Sequence, residues 1–306
     1  MKKIFVSIAL IILLVLIGGI AYLFIRPFDY QVHFTVKTTP DIAYFNILNW
    51  DIWNRKQASS KIEIMSKNPV KNVSKKVLLN DTTLIFNWEF KQLNDSITMV
   101  RACVSDPDRK LYNRLTVPFI NTPFKNSVRT NLLDIKTRLE LMLKTFHYEF
   151  TGYAQFEKKS CVCINFKSTP RGKARAMMAN VIELNQFVRQ NNFELDGNPF
   201  VVVHDWNEFK DSFSFDFCFP ITQPDAVPEH PGFKFITVEG MDAIKTDFYG
   251  NYSITDITWY NLAEQANKLG YQSNNKLIEV YLNDPHSGGN ELEWKAEIYL
   301  GIESVN

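Results

Sequence analysis

Residues 160–306 repeat themselves at an offset of about 80, and this doubling constrains the fold more than any other feature of the chain. A helical stretch over 172–192 carries Met177, Val181, Leu184 and Val188 on one stripe. Its counterpart over 254–269 carries Trp259, Leu262, Ala266 and Leu269. A turn and a strand follow each helix: Phe200-Val201-Val202-Val203-His204 in the first copy, Leu277-Ile278-Glu279-Val280-Tyr281 in the second. A last strand closes each unit, and 215–221 aligns with 296–302 without a gap, setting Asp216 opposite Glu297.

Strand alternation then sorts the faces. Phe213, Phe215, Phe217 and Phe219 point one way, as do Trp294, Ala296, Ile298 and Leu300, and these faces are expected to bury under the helices. Asp216 with Cys218, and Glu297 with Tyr299, point the other way, toward solvent or toward a cleft between the repeats. Sequence periodicity does not choose between the two.

The doubled βαββ pattern resembles the GyrI-like fold, the effector-binding domain attached to many bacterial AraC-type and MerR-type regulators. The resemblance covers about 145 residues and rests on Asp247-Phe248-Tyr249-Gly250-Asn251-Tyr252 as the strand-to-helix turn, Trp259 on the helix, Glu279-Val280-Tyr281, Asp284-Pro285, and Glu297 on the last strand. It implies an aromatic-lined pocket between the halves, in which a carboxylate of the last strand meets cationic or polar ligand groups. By position that residue is Glu297, with Tyr249, Tyr252, Trp259, Tyr281 and Tyr299 as aromatic partners and Asp216 as the weaker counterpart from the first copy. No DNA-binding helix-turn-helix precedes the repeat, so the pocket is expected to serve something other than direct promoter control.

Charge separates this repeat from what comes before it. Residues 1–149 hold 21 Lys/Arg against 12 Asp/Glu, a net +9, while 150–306 hold 13 against 21, a net −8. The whole chain nets +1, which leaves no global field for nucleic acid and makes separate domains the natural reading. Within the basic half, a strand over 30–37 leads through Thr39-Pro40 to a short helix and to Trp50 and Trp53. Strands follow over 76–79, 83–90 and 97–104, and then one long helix capped by Thr122-Pro123, with a stripe of Val128, Leu132, Ile135, Leu139, Met142 and Phe146. That order resembles the START-like helix-grip superfamily (SRPBCC, polyketide cyclase-like), which implies an apolar cavity between sheet and helix. Read without the resemblance, the two tryptophans are core.

At the N-terminus, Lys2-Lys3 precede 22 uncharged residues, Ile4–Ile25, and Arg26-Pro27 ends the run. At about 1.5 Å per residue this spans a bilayer, and the flanking charges favour an inner N-terminus with the rest outside, periplasmic or extracytoplasmic. A cleaved signal peptide ending near Gly19-Ile20-Ala21 is the competing reading, and it also exports the chain. The expected organisation is therefore an α+β protein with a transmembrane signal anchor over 1–27, a START-like domain over 28–147 and a GyrI-like domain over 148–306.

Cys161 and Cys163 share a strand face at a spacing that suits neither a bridge with each other nor a metal, so both are read as packing residues. The five histidines are scattered, and neither a metal site nor a cofactor is expected. Three function classes remain. One is a membrane-anchored binder of small hydrophobic or cationic molecules. The second is a GyrI-like hydrolase of reactive compounds using Glu297, although no nucleophile–base pair supports it independently. The third is a protein-interaction module with a vestigial pocket.

Overall fold

The computed structural model describes residues 2–50, 62–79, 82–94, 96–170, 172–204, 213–222, 228 and 230–303, apart from the side chains of 2–9, 15, 16, 20 and 79. The chain is an α+β protein with two antiparallel sheets and divides into two compact units, Met1–Leu141 and Met142–Asn306.

In the first unit, helix α1 (Lys2–Ile25) leads to strand β1 (Tyr30–Val36) and helix α2 (Pro40–Leu48). Strands β2 (Ile62–Asn68), β3 (Asn72–Leu79), β4 (Thr82–Asn94) and β5 (Ile97–Ser105) follow, then helices α3 (Lys110–Thr116) and α4 (Pro123–Met142). The strands form one antiparallel sheet in the order β1-β5-β4-β3-β2. Trp50 is core: it meets Phe86 at 5.6 Å and Trp88 at 6.2 Å, edge to face. Trp53 lies outside the described residues. Thr122 caps α4 as its sequence predicts, its Oγ1 accepting from the Lys125 amide at 3.1 Å, and Val128, Leu132, Ile135, Leu139 and Met142 are buried. The helix stops at Met142, so Phe146 opens a strand of the second unit rather than completing the stripe.

Among the described residues no helix is long and apolar enough to cross a membrane, so the span expected over 4–25 has no structural support. What α1 does have is a tether. Buried Asp29 accepts from Arg114 Nε at 2.8 Å, and Arg114 Nη1 donates to the Leu23 carbonyl at 2.7 Å, joining the end of α1 to α3.

The second unit contains β6 (Phe146–Phe156), β7 (Lys159–Ser168), α5 (Lys173–Gln190), β8 (Phe200–His204), β9 (Phe213–Pro220) and β10 (Lys234–Val238). It continues with β11 (Met241–Gly250), a 3-10 segment (Tyr252–Thr258), α6 (Trp259–Lys268), β12 (Ser273–Tyr281) and β13 (Lys295–Ile302). One eight-stranded sheet has the order β10-β7-β9-β8-β12-β13-β11-β6. This is the expected doubling: β7-β9-β8 mirrors β11-β13-β12, and the copies join where β8 pairs with β12. Val201 pairs with Phe217 and Glu279 with Ile298, the equivalent residue of the second copy, so Val201 and Glu279 occupy equivalent places. They also pair directly with each other across the join.

The expected helix over 254–269 is split, its first turns taking 3-10 form before α6 begins. Gly250 sits at φ 149° at the preceding turn, where a Cβ would come within 2.7 Å of Phe146 Cβ; both facts require glycine. Phe213, Phe215, Phe217 and Phe219 are buried, and Phe213 meets Trp259 edge to face at 6.0 Å, which places this row under the helices as expected.

The opposite face carries its own core of Phe156, Cys161, Cys163, Phe200, Cys218, Met241, Ala243 and Ile278. Phe156, on edge strand β6, reaches Phe200 of β8 at 5.4 Å, four strands away, so the sheet curls round this face. Cys163 does more than pack there. It pairs across strands with Cys218 and forms a disulfide with it, correcting the expectation of plain packing. Only the β7–β9 register shows that the two are neighbours.

Candidate functional site

A cavity of about 720 Å³ opens in the second unit between α5 and the 3-10 segment and end of β12. Met177, Val181 and Ile182 line it from α5, Phe217 and Phe219 from β9, and Tyr252, Tyr281 and Trp294 from the second copy. Its size and mostly apolar lining with a few polar groups are those of a small-molecule pocket. The tyrosine wall is fixed in place. Tyr252 Oη donates to the Lys295 carbonyl at 2.8 Å and accepts from the Asn283 amide at 3.1 Å, while its ring lies 4.8 Å from that of Tyr281. Burial pushes the Tyr252 phenol up to about 12, so it stays neutral. At the rim, Asp284 accepts from the His286 amide and ring, each at 2.9 Å, and these bonds hold its carboxyl below the usual aspartate range.

Behind the tyrosines lies a buried carboxylate that the sequence reading did not single out as the site acid. Glu279 is wholly inaccessible and accepts from Trp259 Nε1 at 2.6 Å, from Tyr281 Oη and from the Lys173 ammonium; Thr255 Oγ1 lies 3.0 Å away. Lys173, equally buried, also bonds Thr255 Oγ1 at 2.8 Å and stands 5.2 Å from the Trp259 ring centre. Every oxygen of the carboxylate is thereby matched, the condition under which a charge is tolerated in a core. Burial, followed by the Glu279 charge and hydrogen bond, drives the Tyr281 phenol well above its ordinary value and keeps it a donor.

The sequence-predicted residues divide between two faces. Tyr252, Trp259 and Tyr281 come together on the helix side, around Glu279 and the cavity wall. Glu297, Tyr299, Tyr249 and Asp216 lie on the other side, because Glu297 pairs with Val280 whereas Glu279 pairs with Ile298. The expected meeting of Glu297 with Trp259 and Tyr281 therefore does not occur. Instead Glu297 accepts from Lys245 at 3.0 Å and Tyr299 at 2.8 Å, and Asp247 binds both Lys245 and Lys295. Tyr249 stacks on His147 with centroids 4.5 Å apart. Asp216, at the equivalent place, takes His204 at 2.7 Å and Asn165 at 2.6 Å.

Burial raises the pKa values of Glu297 and Asp216, but hydrogen bonds from Tyr299 and Lys245, and from His204 and Asn165, outweigh it and leave both below their ordinary values. Folded values below unfolded ones mean that the stability these groups add is complete above about pH 5 and is lost as pH falls through the folded values. Glu297→Gln is accordingly expected to flatten the acid limb of melting temperature against pH. An identical limb in the variant would show that Glu297 carries no such ion pairing.

Two signals in the sequence did point to the buried pair. Glu279 alternates with Leu277 and Tyr281 on a strand face that is otherwise buried, and Lys173 stands four residues before Met177 on the α5 stripe.

Residues 167–303 match the family model for the GyrI-like small molecule binding domain. This stretch of the second unit is thus a GyrI-like domain, a class of small-molecule binding module. Solved structures with similarity include the EcmrR–DNA complex in EcmrR-RPo, at 16% identity over 63% of this chain and 71% of that one, TM-score 0.45. The EcmrR C-terminal domain is 17% identical over 52% of this chain and 99% of its own, TM-score 0.43. SAV2435 bound to tetraphenylphosphonium is 12% identical over 52% and 94% respectively, TM-score 0.33. No curated protein matches the sequence.

Proposed function

We propose that this protein is a membrane-anchored binder of small lipophilic molecules, taking them into the cavity between α5 and the Tyr252–Tyr281 wall. The observation that carries the binding is that cavity, about 720 Å³ and lined chiefly by apolar and aromatic side chains within the GyrI-like stretch. Glu297 is not the binding acid in this reading, since it is tied to lysines on the other face.

Anchoring rests on other features. In the sequence, Ile4–Ile25 runs for 22 residues without a charged side chain. Beside the end of that helix, Leu111, Tyr112, Leu115, Phe119 and Ile120 all expose apolar surface, which suits a lipid interface. The Cys163–Cys218 disulfide suits an oxidising compartment, in keeping with globular units outside the cytoplasm. In sequence, the segment read as a START-like domain, 28–147, follows the anchor.

One experiment tests both halves. Carbonate-washed membranes from cells making the full chain should bind the neutral probe 1-N-phenylnaphthylamine in saturable excess over membranes carrying Val181→Trp, which fills the cavity. Recovery of chain and binding in the supernatant would sink the anchor. Equal probe uptake by the two membranes would sink the pocket.

A further inference from the structure

We propose that Lys173 is a built-in counterion that makes the cavity select uncharged lipophilic molecules and disfavour lipophilic cations. The inference rests on the cavity being the ligand site and names the ligand class that site accepts.

An aromatic-walled pocket with a buried carboxylate behind it is ordinarily a trap for cations, through attraction to the charge and to the ring faces. Here the place of the cation is taken. The Lys173 ammonium bonds Glu279 and Thr255 and lies over the Trp259 ring, with no exposed surface. Tyr281, whose hydroxyl is spent on Glu279, lines the cavity, and so does Ala174, the residue after Lys173. The two opposite charges therefore lie together behind the same wall, and Lys173 offsets the Glu279 field in the cavity; Asp256, also buried, is a second acid acting on Tyr281. Asp284 is the carboxylate on the lining, but it is solvated and bonded to His286, so salt and water screen it. A cation entering the cavity gives up its hydration and finds the Glu279 charge already matched by Lys173, whereas a neutral molecule of the same shape makes the same apolar contacts without that loss.

Displacement of Lys173 by a ligand cation is opposed by the same geometry. The ammonium would have to leave Glu279, Thr255 and the Trp259 face together. The first copy supplies the contrast: Val201, the equivalent of Glu279 and its direct partner across the join, is apolar. The carboxylate is thus carried by the second copy alone at this position, and the lysine that matches it comes from the helix of the first.

Triphenylphosphine oxide and tetraphenylphosphonium present similar aromatic bulk with and without charge, and their binding to the full chain in detergent is read by calorimetry. The wild-type protein is expected to bind the oxide at least tenfold more tightly than the phosphonium. Lys173→Met, which leaves Glu279 without its counterion, should raise phosphonium affinity at least tenfold with the oxide nearly unchanged. Lys173→Met/Glu279→Gln, which removes both charges, should return the preference to the oxide. Equal affinity of the wild-type protein for the two probes, or a ratio unmoved by Lys173→Met, overturns the proposal. If Lys173→Met does not fold, the wild-type ratio decides alone. Failure of the wild-type protein to bind either probe would instead overturn the pocket itself, and this inference with it.

Discussion

Lys173→Met is expected to lower the unfolding free energy of the second unit by about 3–5 kcal/mol, because it leaves the Glu279 carboxylate buried without its counterion. For a unit of this size that corresponds to a fall in melting temperature on the order of 10 °C. The loss comes from the stranded charge rather than from the missing lysine. Lys173→Met/Glu279→Gln should therefore recover at least half of it, since glutamine keeps a carbonyl to accept from Trp259 and Tyr281 while carrying no charge. Thermal and urea denaturation of the three proteins measure this directly. A single variant within about 0.5 kcal/mol of wild type would mean that Glu279 is not left as a stranded buried charge, contrary to this prediction.

Removing the Cys163–Cys218 bridge is expected to cost a comparable amount. The cysteines are 55 residues apart, and freeing a loop of that length in the unfolded chain is worth about 4 kcal/mol in the chain-entropy account. Cys163→Ala/Cys218→Ala, or reduction of the wild-type protein, should lower the urea midpoint by matching amounts. Cys161 does not complicate the comparison: burial pushes its thiol up to about 12, so it offers little thiolate for exchange with the bridge. An unshifted midpoint after reduction, with both thiols counted as free, would contradict the assignment.

The doubled architecture was legible in the sequence because each copy writes its pattern locally: a helical stripe from Met177 to Val188, another from Trp259 to Ala266, and alternation along 213–219 and 296–300. What depended on pairing between distant strands was not. Alternation along 294–300 already sets Glu297 on the face away from the helices, as found, and it was the GyrI-like resemblance that placed it in a pocket with Trp259 and Tyr281. The β12–β13 register puts Glu297 beside Val280 and gives the helix face to Glu279. The disulfide is of the same kind, since Cys163 and Cys218 become partners only when β9 is laid against β7.

Helix ends were legible where a side chain marks them, as Thr122 does, and obscured where spacing runs on past the end. Phe146 is four residues beyond Met142, so the spacing of a helical stripe runs on although the backbone has already turned into β6. The Lys173–Glu279 contact joins residues 106 apart in sequence, and neither residue alone announces the other.

The proposed ligand site is the cavity on the helix side of the sheet. It is tested most directly by determining the structure with a brominated neutral aromatic probe bound and locating the bromine by its anomalous signal. A peak in contact with Met177, Phe217 and Tyr281 is expected. A peak beside Glu297 and Tyr299, on the opposite face, would contradict it.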